Sequence, residues 1–82
     1  MFIFNAGNEL DNIFHMKAIR TRGDRKGRIY KFEHIYFKIY DHPKKESTYI
    51  IQIFFYGKDN PFIEDDVPYN KMEEYVKKFL PL

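Results

Sequence analysis

The chain is 82 residues long, with a formal net charge of +2, no cysteine and no tryptophan. A chain this short closes around one core, so residues 1–82 are read as a single small globular domain with no room for a second. The lack of cysteine excludes a disulfide framework, a thiolate nucleophile and a thiolate metal site, and a reducing cytoplasm is the expected setting.

The aromatic residues are all Phe (9) and Tyr (7), and Ile outnumbers Leu, so the core has to be built from rings and β-branched side chains. That composition leans toward sheet. The apolar run Met1-Phe2-Ile3-Phe4 is far shorter than a signal-peptide core or a membrane span, and no basic segment precedes it. Neither export by that route nor a membrane span is expected.

Residues 8–20 support two readings. As a helix, Asn8 is the cap, Glu9 and Asp11 lie in the first turn, Arg20 and Arg22 come late, and Gly23 follows as the terminating residue. As a strand, Phe14, Met16 and Ala18 share a face with Tyr30 and Phe32 across a loop at 21–27. Because Ile13, Met16, Ala18 and Ile19 spread around a helical wheel, a strand from about 12 to 20 is the favoured reading.

Charge is distributed unevenly. Residues 15–45 hold ten Lys/Arg against Asp24, Glu33 and Asp41, a local +7, while residues 1–14 carry −2 and residues 46–82 carry −3. Within the basic third, Arg20, Arg22, Arg25, Lys26 and Arg28 cluster around Gly23, Asp24 and Gly27. A glycine-bearing hairpin tip with arginine forks can grip a phosphate backbone; a solvated turn between strands also needs polar residues, so the cluster defines an alternative reading. Arg22-Gly23-Asp24 matches an integrin-binding tripeptide, but three common loop residues carry little weight.

From Arg28 to Tyr40 the apolar positions change phase. Tyr30 and Phe32 are even; Ile35, Phe37 and Ile39 are odd; Glu33-His34 sits at the switch. A β-bulge or sharp bend there would keep both halves on one core; otherwise the switch ends one strand and begins the next. The polar stretch from Asp41 to Ser47, broken by Pro43, reads as the loop to a second strand from Thr48 to Tyr56. In that strand Tyr49, Ile51, Ile53 and Phe55 form one apolar face. A register near i + j = 88 pairs Ile39 with Tyr49, Phe37 with Ile51 and Ile35 with Ile53, so the inward faces coincide.

The stretch Gly57 to Val67, with Pro61 and Glu64-Asp65-Asp66, reads as a connection. Met72, Tyr75, Val76, Phe79 and Leu80 then fall on one helical stripe, with Asn70 as N-cap, Glu73 as its box partner and Pro81 as the stop. If residues 8–20 were helical, the element order would be similar to that of double-stranded-RNA-binding domains. Here, however, Asn70-Lys71-Met72-Glu73-Glu74 puts acidic charge where that family's last helix carries phosphate-binding lysines, and the chain is not assigned to it.

The expected fold is therefore α+β: a three- to four-stranded antiparallel meander with the C-terminal helix packed on one face. Parity sends Tyr36, Lys38 and Tyr40 to the other face, opposite Gln52, Ile50 and Thr48, with Phe54 and Tyr56 farther along. A sheet face in water alternates more cleanly than this. The leading expectation is a non-catalytic interaction protein that binds a protein partner, or its own copy as a homodimer, through Tyr36, Lys38, Tyr40, Phe54 and Tyr56. Folding of Met1–Phe4 and Pro61–Pro68 over that face is the plain structural alternative. The second functional reading is nucleic-acid binding by Arg20, Arg22, Arg25, Lys26 and Arg28 with neighbouring aromatics.

Catalysis finds little support, and the one enzymatic alternative kept is a small nuclease-type activity, which could work with His, Arg and Lys alone. Asp41, His42 and Ser47 supply triad residue types on one loop without a spacing that sets a base on a nucleophile. His15, His34 and His42 show no metal-ligand spacing, and no cofactor or metal is expected.

Overall fold

The phase switch in the middle of the chain is resolved by a tight hairpin. In the computed structural model, which describes residues 6–21 and 27–80, strand β2 (Gly27–Lys31) ends before the switch and β3 (Ile35–Asp41) begins after it. The Phe32 N–H donates to the Ile35 carbonyl at 2.9 Å, closing a two-residue turn over Glu33-His34. Pairing then sets Tyr30 against Phe37 and Arg28 against Ile39, even against odd. The parity change is thus the mark of a strand-to-strand turn, and no bulge within one long strand is needed.

Strand β4 (Thr48–Phe55) pairs antiparallel with β3, and β5 (Ile63–Pro68) pairs with β4. Together with the short β1 (Ile19–Arg20) they form one antiparallel sheet in the order β1-β2-β3-β4-β5, a meander of five strands where three to four were expected. The β3–β4 register differs from expectation by two residues: Ile39 faces Ile51, Phe37 faces Ile53 and Ile35 faces Phe55. A slide of two preserves parity, so all six inward side chains stay on one face.

The loop explains the slide. His42 Nδ1 accepts from the backbone N–H groups of Lys44 and Lys45, both at 3.0 Å, and Ser47 takes a left-handed φ of 50°. The loop then closes with the His42 N–H on the Thr48 carbonyl at 2.9 Å. Gly57, at φ 82°, makes the turn out of β4.

The expected strand at 12–20 is overturned. Helix α1 spans Ala6–Phe14 and only Ile19–Arg20 is extended. The apolar pair Leu10 and Phe14, one helical turn apart and both buried, supplies the docking stripe, with Ile13 half-buried beside it. The helix stops at His15, not Gly23: His15 adopts φ 59°, and the Met16 N–H reaches back to the Asp11 carbonyl at 3.1 Å, a Schellman closure without glycine.

At the other end, a 3₁₀ turn (Tyr69–Lys71) leads into α2 (Met72–Lys77). Asn70 lies inside that turn and caps nothing; Lys71 flanks the helix and makes no side-chain cap. The expected stripe holds, with Met72, Val76 and Leu80 buried and Tyr75 and Phe79 half-buried. Glu73 pairs with Lys77 at 3.4 Å.

Both helices lie on the same sheet face, over Tyr30, Phe37, Ile39, Tyr49, Ile51, Ile53 and Val67. Three phenols tie helical layer to sheet: Tyr30 donates to Asp11 at 2.6 Å, Tyr69 to Asp41 at 2.8 Å and Tyr75 to Asp65 at 2.8 Å. No helix among the described residues is long and apolar enough to cross a membrane.

Candidate contact surface

Because cross-strand partners share a face, the pairings list the outer face row by row. One row runs Ile19, Ile29, Lys38, Gln52, Glu64 across all five strands. The next runs Gly27, Tyr40, Ile50, Asp66, and the one on the other side runs Lys31, Tyr36, Phe54. No helix or strand among the described residues covers this face: of the two segments weighed as a cover, β5 within Pro61–Pro68 extends the sheet at its edge, and Met1–Phe4 lies outside the described residues.

Four of the five residues expected at the contact are brought together. Tyr36 stacks on Phe54 with centroids 4.9 Å apart and planes 3° from parallel, Tyr56 leans on Tyr36 at 5.3 Å, and the Lys38 ammonium sits 5.0 Å from the Phe54 ring centroid. The Tyr56 hydroxyl donates to the Phe32 carbonyl at 2.7 Å, which fixes the outer ring of the stack. Phe54 is the floor of this cluster, only 4% exposed, so the surface a partner would touch is made by Tyr36, Lys38 and Tyr56 above it. Tyr40 stands apart, its ring laid over Gly27; a Cβ at Gly27 would come within 2.5 Å of that ring, so only glycine admits it there. Ile29, Ile50 and Gln52, all half-buried, fill the centre of the face.

Two parts of the surroundings were not legible beforehand. Glu64 and Asp66 bring acidic charge to one border of the face, because Ile63–Pro68, whose composition reads as a connection, is an edge strand. At the far end of the sheet, Phe55 and Phe62 stack at 4.2 Å and remain 47% and 45% exposed. Phe55 keeps its inward parity but lies opposite Ile35, beyond the helical layer.

Of the basic cluster, Arg22, Arg25 and Lys26 lie outside the described residues. Arg20 and Arg28 are direct cross-strand partners, on the helix-bearing side with Ile39, away from Tyr36 and Phe54. Among the described residues, the Arg28 Nε is buried without a hydrogen-bond partner. Its charge is close enough to oppose the upward shift of the Tyr30, Tyr49 and Tyr69 phenols, which are held above their ordinary range chiefly by burial.

Among the residues weighed for catalysis, Asp41, His34 and His42 have structural partners. With Nδ1 accepting two backbone N–H groups, His42 turns Nε2 to Asp66 at 3.3 Å, while Lys45 reaches the same carboxylate at 3.0 Å. The Lys45 hydrogen bond holds the Asp66 carboxyl below its usual value. Asp41 is engaged by Tyr69, not His42. His34 faces Glu33 at 3.5 Å on the β2–β3 turn and His15 ends α1. No three His, Asp or Glu side chains among the described residues converge as metal ligands would. Compared with known protein families, curated proteins and solved structures, the chain matches none.

Proposed function

We propose that this chain is a small non-catalytic interaction or regulatory protein, acting in the cytoplasm through the aromatic face of its sheet. The observation that supports this reading is the one-sided architecture. Both helices are spent on one face, and the other carries the Tyr36–Phe54–Tyr56 stack, Tyr40, Ile29 and Ile50 in place of the polar alternation of a solvated sheet. Tyrosines that are apolar in body and polar at the tip suit a protein interface. Lys38 over the Phe54 ring adds charge at little cost to the apolar surface.

Binding carried by this face depends on Tyr36, and on salt far less steeply than phosphate binding does. The test is recovery of a defined partner by the wild-type chain, by Tyr36→Ala and by Lys77→Ala, a change on the opposite layer. Loss of the partner in Tyr36→Ala alone supports the reading; loss in Lys77→Ala alone sends the contact to the helices.

Nucleic-acid binding is retained as a second reading because Arg20 and Arg28 stand directly opposite each other with like charge, an arrangement that an anion between them would relieve. Titration with single- and double-stranded oligonucleotides at low and moderate salt decides it: a steep fall in affinity with salt, and on Arg25→Ala, is the expected signature. No binding at low salt removes this reading.

A further inference from the structure

We infer that the occupant of the outer face is a second copy of this chain, docked about a two-fold axis that runs parallel to β4 between the two faces. The inference rests on the reading of that face as a contact surface and goes further by naming what covers it.

The charge order across the sheet carries the argument. In one row, Lys38 on β3, Gln52 on β4 and Glu64 on β5 follow one another as cation, amide and anion. A two-fold axis over the middle strand reverses that row onto itself: Lys38 of each copy meets Glu64 of the other, and the two Gln52 amides meet at the axis. The next row behaves alike, bringing Ile50 onto Ile50 and Tyr40 toward Asp66, while the Phe54 rings with their stacked Tyr36 neighbours fall on the axis side. Contacts made twice by one self-complementary patch are what an isologous interface requires, and face-to-face sheets with nearly aligned strands are a standard packing.

Both charges are poised for such a contact. Lys38 and Glu64 stand two strands apart, about 10 Å at the usual interstrand spacing, and among the described residues neither makes an ion pair within the chain. Each is instead held by a neutral neighbour, Lys38 over the Phe54 ring and Glu64 by the Gln52 amide at 3.0 Å. Other placements of the axis are penalised. An axis over β3 stacks Lys38 on Lys38, and one midway between β3 and β4 sets the Glu64 carboxylate on Ile29. Like charges in contact, or a carboxylate desolvated on an aliphatic side chain, select against these. The charge pattern therefore chooses both the partner and the register.

Light scattering or sedimentation over a concentration series tests this on the intact chain. The wild-type protein is expected to approach twice its 10.1 kDa mass. Lys38→Glu and Glu64→Lys, both near the surface, should each remain monomeric with an unchanged circular dichroism spectrum. An equimolar mixture of the two should recover the doubled mass. In the mixed pair the carboxylate introduced by the first change faces the ammonium introduced by the second, and the unaltered Glu64 of one chain faces the unaltered Lys38 of the other. A wild-type chain that stays at 10.1 kDa throughout overturns the inference; if Tyr36→Ala still releases a different partner protein, the contact-surface reading survives that failure. A dimer unaffected by either charge reversal, or a mixture that stays monomeric, overturns it as well.

Discussion

Asp11 shows how much one side chain can organise. Its Oδ1 accepts from the Tyr30 phenol at 2.6 Å and from the Ala18 N–H at 3.2 Å, so it joins α1, the descending loop and β2. Tyr30 is fully buried, and its hydroxyl has nowhere else to go. Asp11→Ala is expected to cost about 1.5–3 kcal/mol in urea unfolding, because it strands a buried donor of a charge-assisted bond. Tyr30→Phe, which removes the donor itself, should cost about 1 kcal/mol or less. A double-mutant cycle on the pair checks this, and energies that simply add would count against the coupling. Such residues were not legible in the sequence. The three phenol–carboxylate pairs span separations of 19, 28 and 10 residues, and no local pattern marks them. Parity, by contrast, placed Tyr36, Lys38, Tyr40 and Phe54 on the outer face, because alternation is a purely local property of a strand.

At the level of elements, the outcome followed the strength of the periodic signal. The alternation in β3 and β4 was long enough to survive a register error of two, and the stripe of α2 is spaced at a full helical period. The signal of α1 is only Leu10 and Phe14 with Ile13; Met16 and Ala18 lie in the connection that follows and Ile19 in β1, so on a wheel drawn through residue 20 they blur the stripe. β5 was missed because Glu64-Asp65-Asp66 reads as a loop, whereas charge on a border strand is a common guard against unwanted edge pairing. A nine-residue helix is marginal in water, so docking decides whether α1 exists. Its anchor is Phe14, stacked on Tyr30 at 4.1 Å and set edgewise to Phe37 at 5.0 Å. Phe14→Ala should cost about 3–5 kcal/mol, much of the roughly 4–12 kcal/mol expected for a domain of this size. Urea unfolding monitored by circular dichroism measures the loss, and a cost below about 1 kcal/mol would mean that α1 does not depend on this contact.

Across the whole molecule, the helical layer is tied down at three separated points by Tyr30 on Asp11, Tyr69 on Asp41 and Tyr75 on Asp65. All three phenols, together with Tyr49, are raised above the ordinary value, first by burial and, for the three tethers, next by the bond to the carboxylate. The consequence for stability has a definite sign. In the unfolded chain these phenols ionise near pH 10, but in the folded chain they keep their protons to higher pH, so the folded state binds more protons in that window. Their contribution is complete below about pH 10 and drains away as pH climbs toward the folded values. Melting temperature measured from about pH 8 to pH 11.5 should therefore fall at the upper end, and more steeply than in Tyr75→Phe, whose side chain has no proton to lose. The two proteins differ only at this hydroxyl, so the difference between the two curves isolates the phenol. Parallel curves would show that the tether at Tyr75 does not couple ionisation to folding. Steeper loss in the wild type would place the alkaline limit of the fold at the seam between helices and sheet.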